Sequence, residues 1–170
     1  NKPLLEAISK SSLRRLSCSP EFGSEALANI AWSFANSALR DPNLFDAIAA
    51  ASRAKIPEFA ALDLATTAWS VAKLGYGDAP LMDALAAQAI PRITELRVTS
   101  LTNIAWAYAT LAYLVRPLMD AISAESIARI PAYDARDIAN IAFSFATLRV
   151  LHKPLMEALS AEALKKLSHV

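Results

Sequence analysis

The stretch LANIAWSFA, Leu27 to Ala35, returns as LATTAWSVA at Leu64–Ala72, LTNIAWAYA at Leu101–Ala109 and IANIAFSFA at Ile138–Ala146. Each copy begins 37 residues after the one before it, with the large ring at Trp32, Trp69, Trp106 and Phe143. Self-similarity at a fixed period of this size is the signature of a repeat array, in which each unit covers the apolar surface of its neighbours. A second block keeps the same period: LFDAI from Leu44, LMDAL from Leu81, LMDAI from Leu118 and LMEAL from Leu155. Its first copy, LLEAI from Leu4, lies 40 residues before its successor, which places three extra residues around Ser17, Cys18 and Ser19.

Working outward, each unit reads as two helices. Helix A opens at a proline (Pro3, Pro42, Pro80, Pro117, Pro154), a residue tolerated in a first turn whose N–H has no intrahelical partner. It continues through apolar positions at helical spacing, such as Leu118, Ile122 and Ile127, and stops near Ile56, Ile93 or Ile130, where Pro57, Thr94 or Pro131 follows. Helix B carries the aromatic motif. In the last full unit it starts near Asp134, a side chain suited to capping, with Asp137 placed to favour the helix dipole. Alanines at 31, 35, 68, 72, 105 and 109 predict that neighbouring B helices approach closely. The expected fold is all-α, a right-handed α-solenoid of about four and a half 37-residue helix pairs. It forms one domain over residues 1–170, with units at about 1–40, 41–77, 78–114 and 115–151 and a partial unit at 152–170. An array beginning and ending inside a unit is expected to continue or to be covered by a partner.

Composition agrees. Hydrophobic residues are 55% of the chain, alanine about a fifth of it, and there are three glycines, a balance that favours helix. Formal net charge is +1, from 17 basic and 16 acidic side chains, so there is no positive excess of the kind that drives phosphate binding. One cysteine, Cys18, excludes an internal disulfide framework and a paired-cysteine zinc site. The most apolar run, Leu101 to Val115, is about 15 residues and holds Thr102, Asn103 and Thr110. That is short of the roughly 20 residues that span a bilayer.

The 37-residue period, the LANIAWSFA-type second helix and the PLMDAI-type first helix resemble the octotricopeptide and heptatricopeptide repeats of organellar RNA-binding proteins. They also resemble the helical repeats of FAST-kinase-domain proteins. The resemblance implies an α-solenoid that binds single-stranded RNA in a plastid or mitochondrion and supports its stability, processing or translation. The RAP domain that many of those proteins carry has no match in this sequence. Tetratricopeptide and ankyrin arrays, with periods of about 34 and 33 residues, do not fit the spacing.

A stack turns equivalent positions into columns. On helix B one column is Asn29, Thr66, Asn103 and Asn140. Four residues on come Ser33, Ser70, Ala107 and Ser144, and seven on come Asn36, Lys73, Thr110 and Thr147. These offsets share a helix face and form a narrow polar stripe, one set per unit. It admits two readings: a base-reading surface for single-stranded RNA, or small groups bonded to backbone carbonyls. The neighbouring ring column is read first as packing, with stacking on RNA bases as the alternative. A basic column, Arg15, Lys55, Arg92, Arg129 and Lys166, closes helix A. An acidic one, Glu6, Asp46, Asp83, Asp120 and Glu157, is expected in its first turn. Complementing the helix dipole accounts for both columns; following an RNA backbone, one phosphate per unit, is the sharper alternative for the basic one.

Catalytic patterns are missing from the sequence. His152 and His169 stand without partners at ligand spacing, Cys18 has no evident base, and no glycine-rich phosphate loop occurs. The sequence therefore predicts no enzyme, no cofactor and no metal. Two functions remain: RNA binding, or a non-catalytic scaffold subunit of a large organellar assembly that meets its partners through protein–protein contacts.

Overall fold

The computed structural model describes residues 22–168, together with Ala7 and Ser11. The expectations resting on Glu6, Arg15, the Ser17–Ser19 insertion and His169 lie outside the described residues. Within them are eight α-helices and no strand. The B helices are α1 (Ser24–Asn36), α3 (Ala61–Lys73), α5 (Val98–Thr110) and α7 (Ala135–Thr147). The A helices are α2 (Pro42–Lys55), α4 (Ala79–Ala89), α6 (Arg116–Arg129) and α8 (Lys153–Leu167). Like elements neighbour like: α1, α3, α5 and α7 form one row, and α2, α4, α6 and α8 a second row beside it. This two-row order is compatible with an α-solenoid.

The local chemistry explains the boundaries. Asp41 and Asp78 cap α2 and α4 by accepting from the N–H of Leu44 and Leu81, at 3.2 and 2.7 Å. His152 does the same for α8, its Nδ1 accepting from Leu155 N at 3.2 Å. Asp134 and Asp137 form a reciprocal capping box at the start of α7. The A helices end where proline removes an N–H: Pro57, Pro91 and Pro131 each sit in a short 3₁₀ turn. Pro91 lies closer to its helix start than the other two, so α4 has 11 residues where α2 and α6 have 14. It is Pro91, and not the Thr94 expected from the sequence, that stops this helix. Each B helix closes with one left-handed residue: Ala38 (φ 52°), Gly75 (66°), Ala112 (51°) and Arg149 (55°). The next N–H then reaches back into the helix, as Tyr76 N does to Val71 O at 2.8 Å.

Angular position on helix B sorts the motif into four faces, at 100° per residue. Leu27 and Phe34, with their equivalents, point at the A row and are buried. One flank is small: Ala28, Ala31 and Ala35 on α1, Ala65, Ala68 and Ala72 on α3, and Thr102, Ala105 and Ala109 on α5, all buried. The opposite flank is Asp63, Thr67 and Ser70 on α3, Ser100, Ile104 and Ala107 on α5, and Asp137, Ile141 and Ser144 on α7, also buried. Front meets back between successive B helices, as the Thr102 hydroxyl does 3.2 Å from Asp137 Oδ1. Small residues on this seam let the backbones come close, and contacts along the B row are far denser than along the A row.

Candidate nucleic-acid interface

The fourth face of helix B, directed away from the A row, is where the stripe and the rings come together. Trp32 lies about 140° around the helix from Leu27, and Asn29 and Asn36 lie about 60° and 40° further round, both on one side of it. Against the expectation that the rings are packing, Trp32 is 46% exposed and Phe143 52% exposed. Trp69 and Trp106 are half-buried. The physical reason is the small-residue seam: helices this close leave no room between them for an indole, so the ring takes the outer face. Trp69 and Trp106 adjoin across the α3–α5 seam, with centroids 6.4 Å apart and planes tilted by 36°. The Lys73 ammonium sits 4.5 Å from the centroid of the Trp69 ring and donates to Asn36 Oδ1 at 3.3 Å, joining α3 to α1.

The stripe divides by position. Asn29, Asn36, Lys73, Thr110 and Thr147 are exposed, and Thr66, Asn103 and Asn140 half-buried on the same face. The middle column turns inward. Ser33, Ser70 and Ser144 donate to the carbonyls of Asn29, Thr66 and Asn140 at 2.8, 2.6 and 2.6 Å, and Ala107 is buried in the seam. Back-bonding to the preceding turn accounts for these hydroxyls.

The basic column is engaged within the stack. Lys55 Nζ donates to Phe22 O at 2.7 Å. Arg92 donates to Phe59 O and forks onto Glu95 at 2.8 and 3.0 Å. Arg129 donates to both Leu96 O and Thr94 O and pairs with Glu125. The bonds to Phe22 O, Phe59 O and Leu96 O each bridge 33 residues, from the end of an A helix back to the connection of the preceding unit. Lys166 pairs with the buried Glu162 at 3.0 Å. Inter-unit clamping of a backbone carbonyl is a role that neither reading of the sequence contained.

The acidic column differs from its expectation too. No acid occupies the first turn of α2, α4, α6 or α8. Asp46 and Asp83 instead accept from Tyr76 and Tyr113 of the following unit, at 2.6 and 2.8 Å. Burial, and then the hydrogen bond to Asp46, hold the Tyr76 phenol above its ordinary range; for Tyr113 the bond to Asp83 leads. Tyr108, whose hydroxyl donates to Met82 O at 2.6 Å, and Tyr133, which donates to Ser126 Oγ at 2.7 Å, are raised chiefly by burial. Among the described residues no group of three or more His, Cys, Asp or Glu could hold a metal, and no helix is long and apolar enough to cross a membrane.

A row of exposed rings, amides and hydroxyls on regularly spaced helices is chemistry for stacking and hydrogen bonding. At this point comparison with known families is decisive: residues 9–162 match the model of the RNA-editing substrate-binding complex 6 protein, RESC6. The chain belongs to the RESC6 family. No curated protein matches it. The RESC6 match overturns the resemblance to octotricopeptide, heptatricopeptide and FAST-kinase-domain repeats. The features that carried that resemblance, a 37-residue period and small residues around one ring, serve close packing of paired helices in this chain and do not by themselves identify a family.

Proposed function

We propose that the chain is a non-catalytic subunit of a mitochondrial RNA-editing substrate-binding complex, and that it holds single-stranded RNA along the outer face of its B helices. The observation that carries the RNA role is the outward-facing column of Trp32 and Phe143, exposed, and Trp69 and Trp106, half-buried, flanked by Asn29, Asn36, Thr66, Asn103, Thr110, Asn140 and Thr147. Stacking on an aromatic ring tolerates any base and contributes about 1–3 kcal/mol per base. Lys73 over Trp69 adds a cation beside a stacking platform. The denser B row favours a stack that curves toward it, making the ring column the inner wall of a groove.

The near-neutral net charge fits a subunit more than a free-standing RNA binder, since little counter-ion release is available to it. Four B helices reach about four bases at one base per unit. Useful affinity then comes from sharing the strand with other subunits. Lys55, Arg92 and Arg129 play no part in this reading because they bond to carbonyls of the preceding unit, and Lys166, Ser33, Ser70 and Ser144 because they bond within their own helices.

The test is binding of mixed-sequence single-stranded RNA to the full chain, followed by anisotropy. Trp32→Ala and Phe143→Ala are the cleanest variants, because both side chains are half exposed and their loss leaves the core intact. Each is expected to weaken binding about 5- to 100-fold, the equivalent of about 1–3 kcal/mol. Affinity unchanged in the double variant would refute the reading.

A further inference from the structure

Each B helix turns four residues outward along one line, at offsets of 0, 4, 7 and 11 that fall within about 60° of one another. On α1 they are Glu25, Asn29, Trp32 and Asn36, and on α3 Leu62, Thr66, Trp69 and Lys73. The first place in the line adds a column to the outer face: Glu25, Leu62, Thr99 and Arg136, all exposed. The rings therefore lie between the Asn29 column, on their N-terminal side, and the Asn36 column, on their C-terminal side. A strand that follows the rings lays its backbone on one side and its base edges on the other. The two sides differ in charge. From just beyond each ring to the end of the next turn, residues 33–40, 70–77, 107–114 and 144–151 hold Arg40, Lys73 and Arg149, all exposed, and no acid. Toward the helix starts the signs are mixed, with Glu25, Glu58 and Asp134 exposed beside Arg97 and Arg136.

Lys73 is the cation of this face that comes nearest to a ring. It stands four residues beyond Trp69, about 6 Å along the axis, whereas Arg136 stands seven before Phe143, about 10 Å. Its ammonium lies 4.5 Å from the Trp69 ring centroid and gives one of three N–H donors to Asn36 Oδ1 at 3.3 Å. No carboxylate pairs with it among the described residues. A ring and an amide thus fix its position while leaving its charge uncompensated. Free carbonyls at a helix C-terminus would oppose an anion there, but the turn already takes them. Leu74 N donates to Ser70 O at 3.3 Å, Tyr76 N to Val71 O at 2.8 Å and Gly75 N to Ala72 O at 2.9 Å.

We propose that the phosphates of the RNA run along the C-terminal ends of the B helices, anchored by Lys73, while the base edges face Asn29, Thr66, Asn103 and Asn140. The inference rests on the RNA reading and deepens it by giving each column a task. The rings stack any base, the amides on their N-terminal side offer donors and acceptors to base edges, and Lys73 supplies the charge. One phosphate held at the second unit sets which base falls on which ring.

The test is the salt dependence of binding of mixed-sequence single-stranded RNA to the full chain, followed by anisotropy. One phosphate contact on a single strand contributes about 0.7 to the slope of log affinity against log salt, so between about 50 and 200 mM salt Lys73→Gln should lose about 2.6-fold less affinity than the unaltered chain. Lys73→Arg and Arg136→Gln should both keep the original slope, and helical circular dichroism checks that each variant folds. Asn103→Ala should also keep the slope while changing the affinity ratio between adenine and cytosine homopolymers. A slope unmoved by Lys73→Gln, or one lowered by Arg136→Gln instead, overturns the placement of the backbone. An unchanged homopolymer ratio overturns the placement of the base edges. If the Trp32→Ala, Phe143→Ala double variant weakens binding while Lys73→Gln leaves the slope alone, this inference fails and the RNA reading stands; if the double variant binds as before, the RNA reading itself fails.

Discussion

Arg129 decides between two uses of the basic column, and the size of its contribution follows from its surroundings. Its guanidinium donates to Leu96 O and Thr94 O and pairs with Glu125, with the side chain 28% exposed. Arg129→Gln removes the charge and shortens the reach. Leu96 is 1% exposed, so its carbonyl loses a donor that water replaces poorly, costing about 1–3 kcal/mol. Thr94 is exposed and its carbonyl rehydrates, while the part-exposed ion pair with Glu125 contributes about 0–1 kcal/mol. The expected loss is about 2–3 kcal/mol. At about 2–4 °C per kcal/mol for a chain of this size, the melting temperature falls by roughly 5–10 °C. Because units in a stack hold only their neighbours, the loss concentrates at one junction. Hydrogen exchange should therefore rise in α6, α7 and α8 before it rises in α1 to α3. Thermal melts and exchange of the variant read both effects, with Arg136→Gln, an exposed arginine, as the control. An unchanged melting temperature with the salt dependence of RNA affinity reduced by about one phosphate contact would refute the clamp and restore the phosphate role.

Other expectations follow from single residues. Ala112→Gly relieves a left-handed alanine at φ 51°, whose strain of about 1–2 kcal/mol exceeds the 0.4–1 kcal/mol of added unfolded-state freedom, so urea denaturation should show a gain of about 0.5–1 kcal/mol. Gly75→Ala should do the reverse at the equivalent turn, where φ is 66°. Thr67 is buried in the α1–α3 seam with its hydroxyl unpartnered among the described residues, and Thr67→Val, nearly the same shape, should raise stability by about 1 kcal/mol in the same assay. All four tyrosines have raised pKa values, so the folded state holds their protons more tightly than the unfolded one. Their contribution is complete below the ordinary phenol pKa of 10.0 and is lost as the pH climbs past it. Phenolate absorbance should therefore appear together with loss of helix, and Tyr76→Phe should make the alkaline transition shallower.

The fold was legible because a strict period leaves little freedom: two apolar blocks that recur together must become two rows of helices. The outer face was harder to see. A recurring tryptophan looks like core, and the angle of about 140° between Leu27 and Trp32 becomes informative only once both flanks are known to be occupied. The signal was present in the alanines at 28, 31 and 35, which claim one flank, and in Asp63, Thr67 and Ser70, which claim the other. With both flanks taken and Leu27 inward, one direction is left for the ring. The clamps were not legible for a different reason. Lys55, Arg92 and Arg129 bond to backbone carbonyls 33 residues away, and a carbonyl belongs to every residue, so no side-chain pattern announces the partner. Asp46 and Asp83 did have a legible partner column in Tyr76 and Tyr113, 30 residues on, but it is filled only twice and gives way to Val150 at the third place.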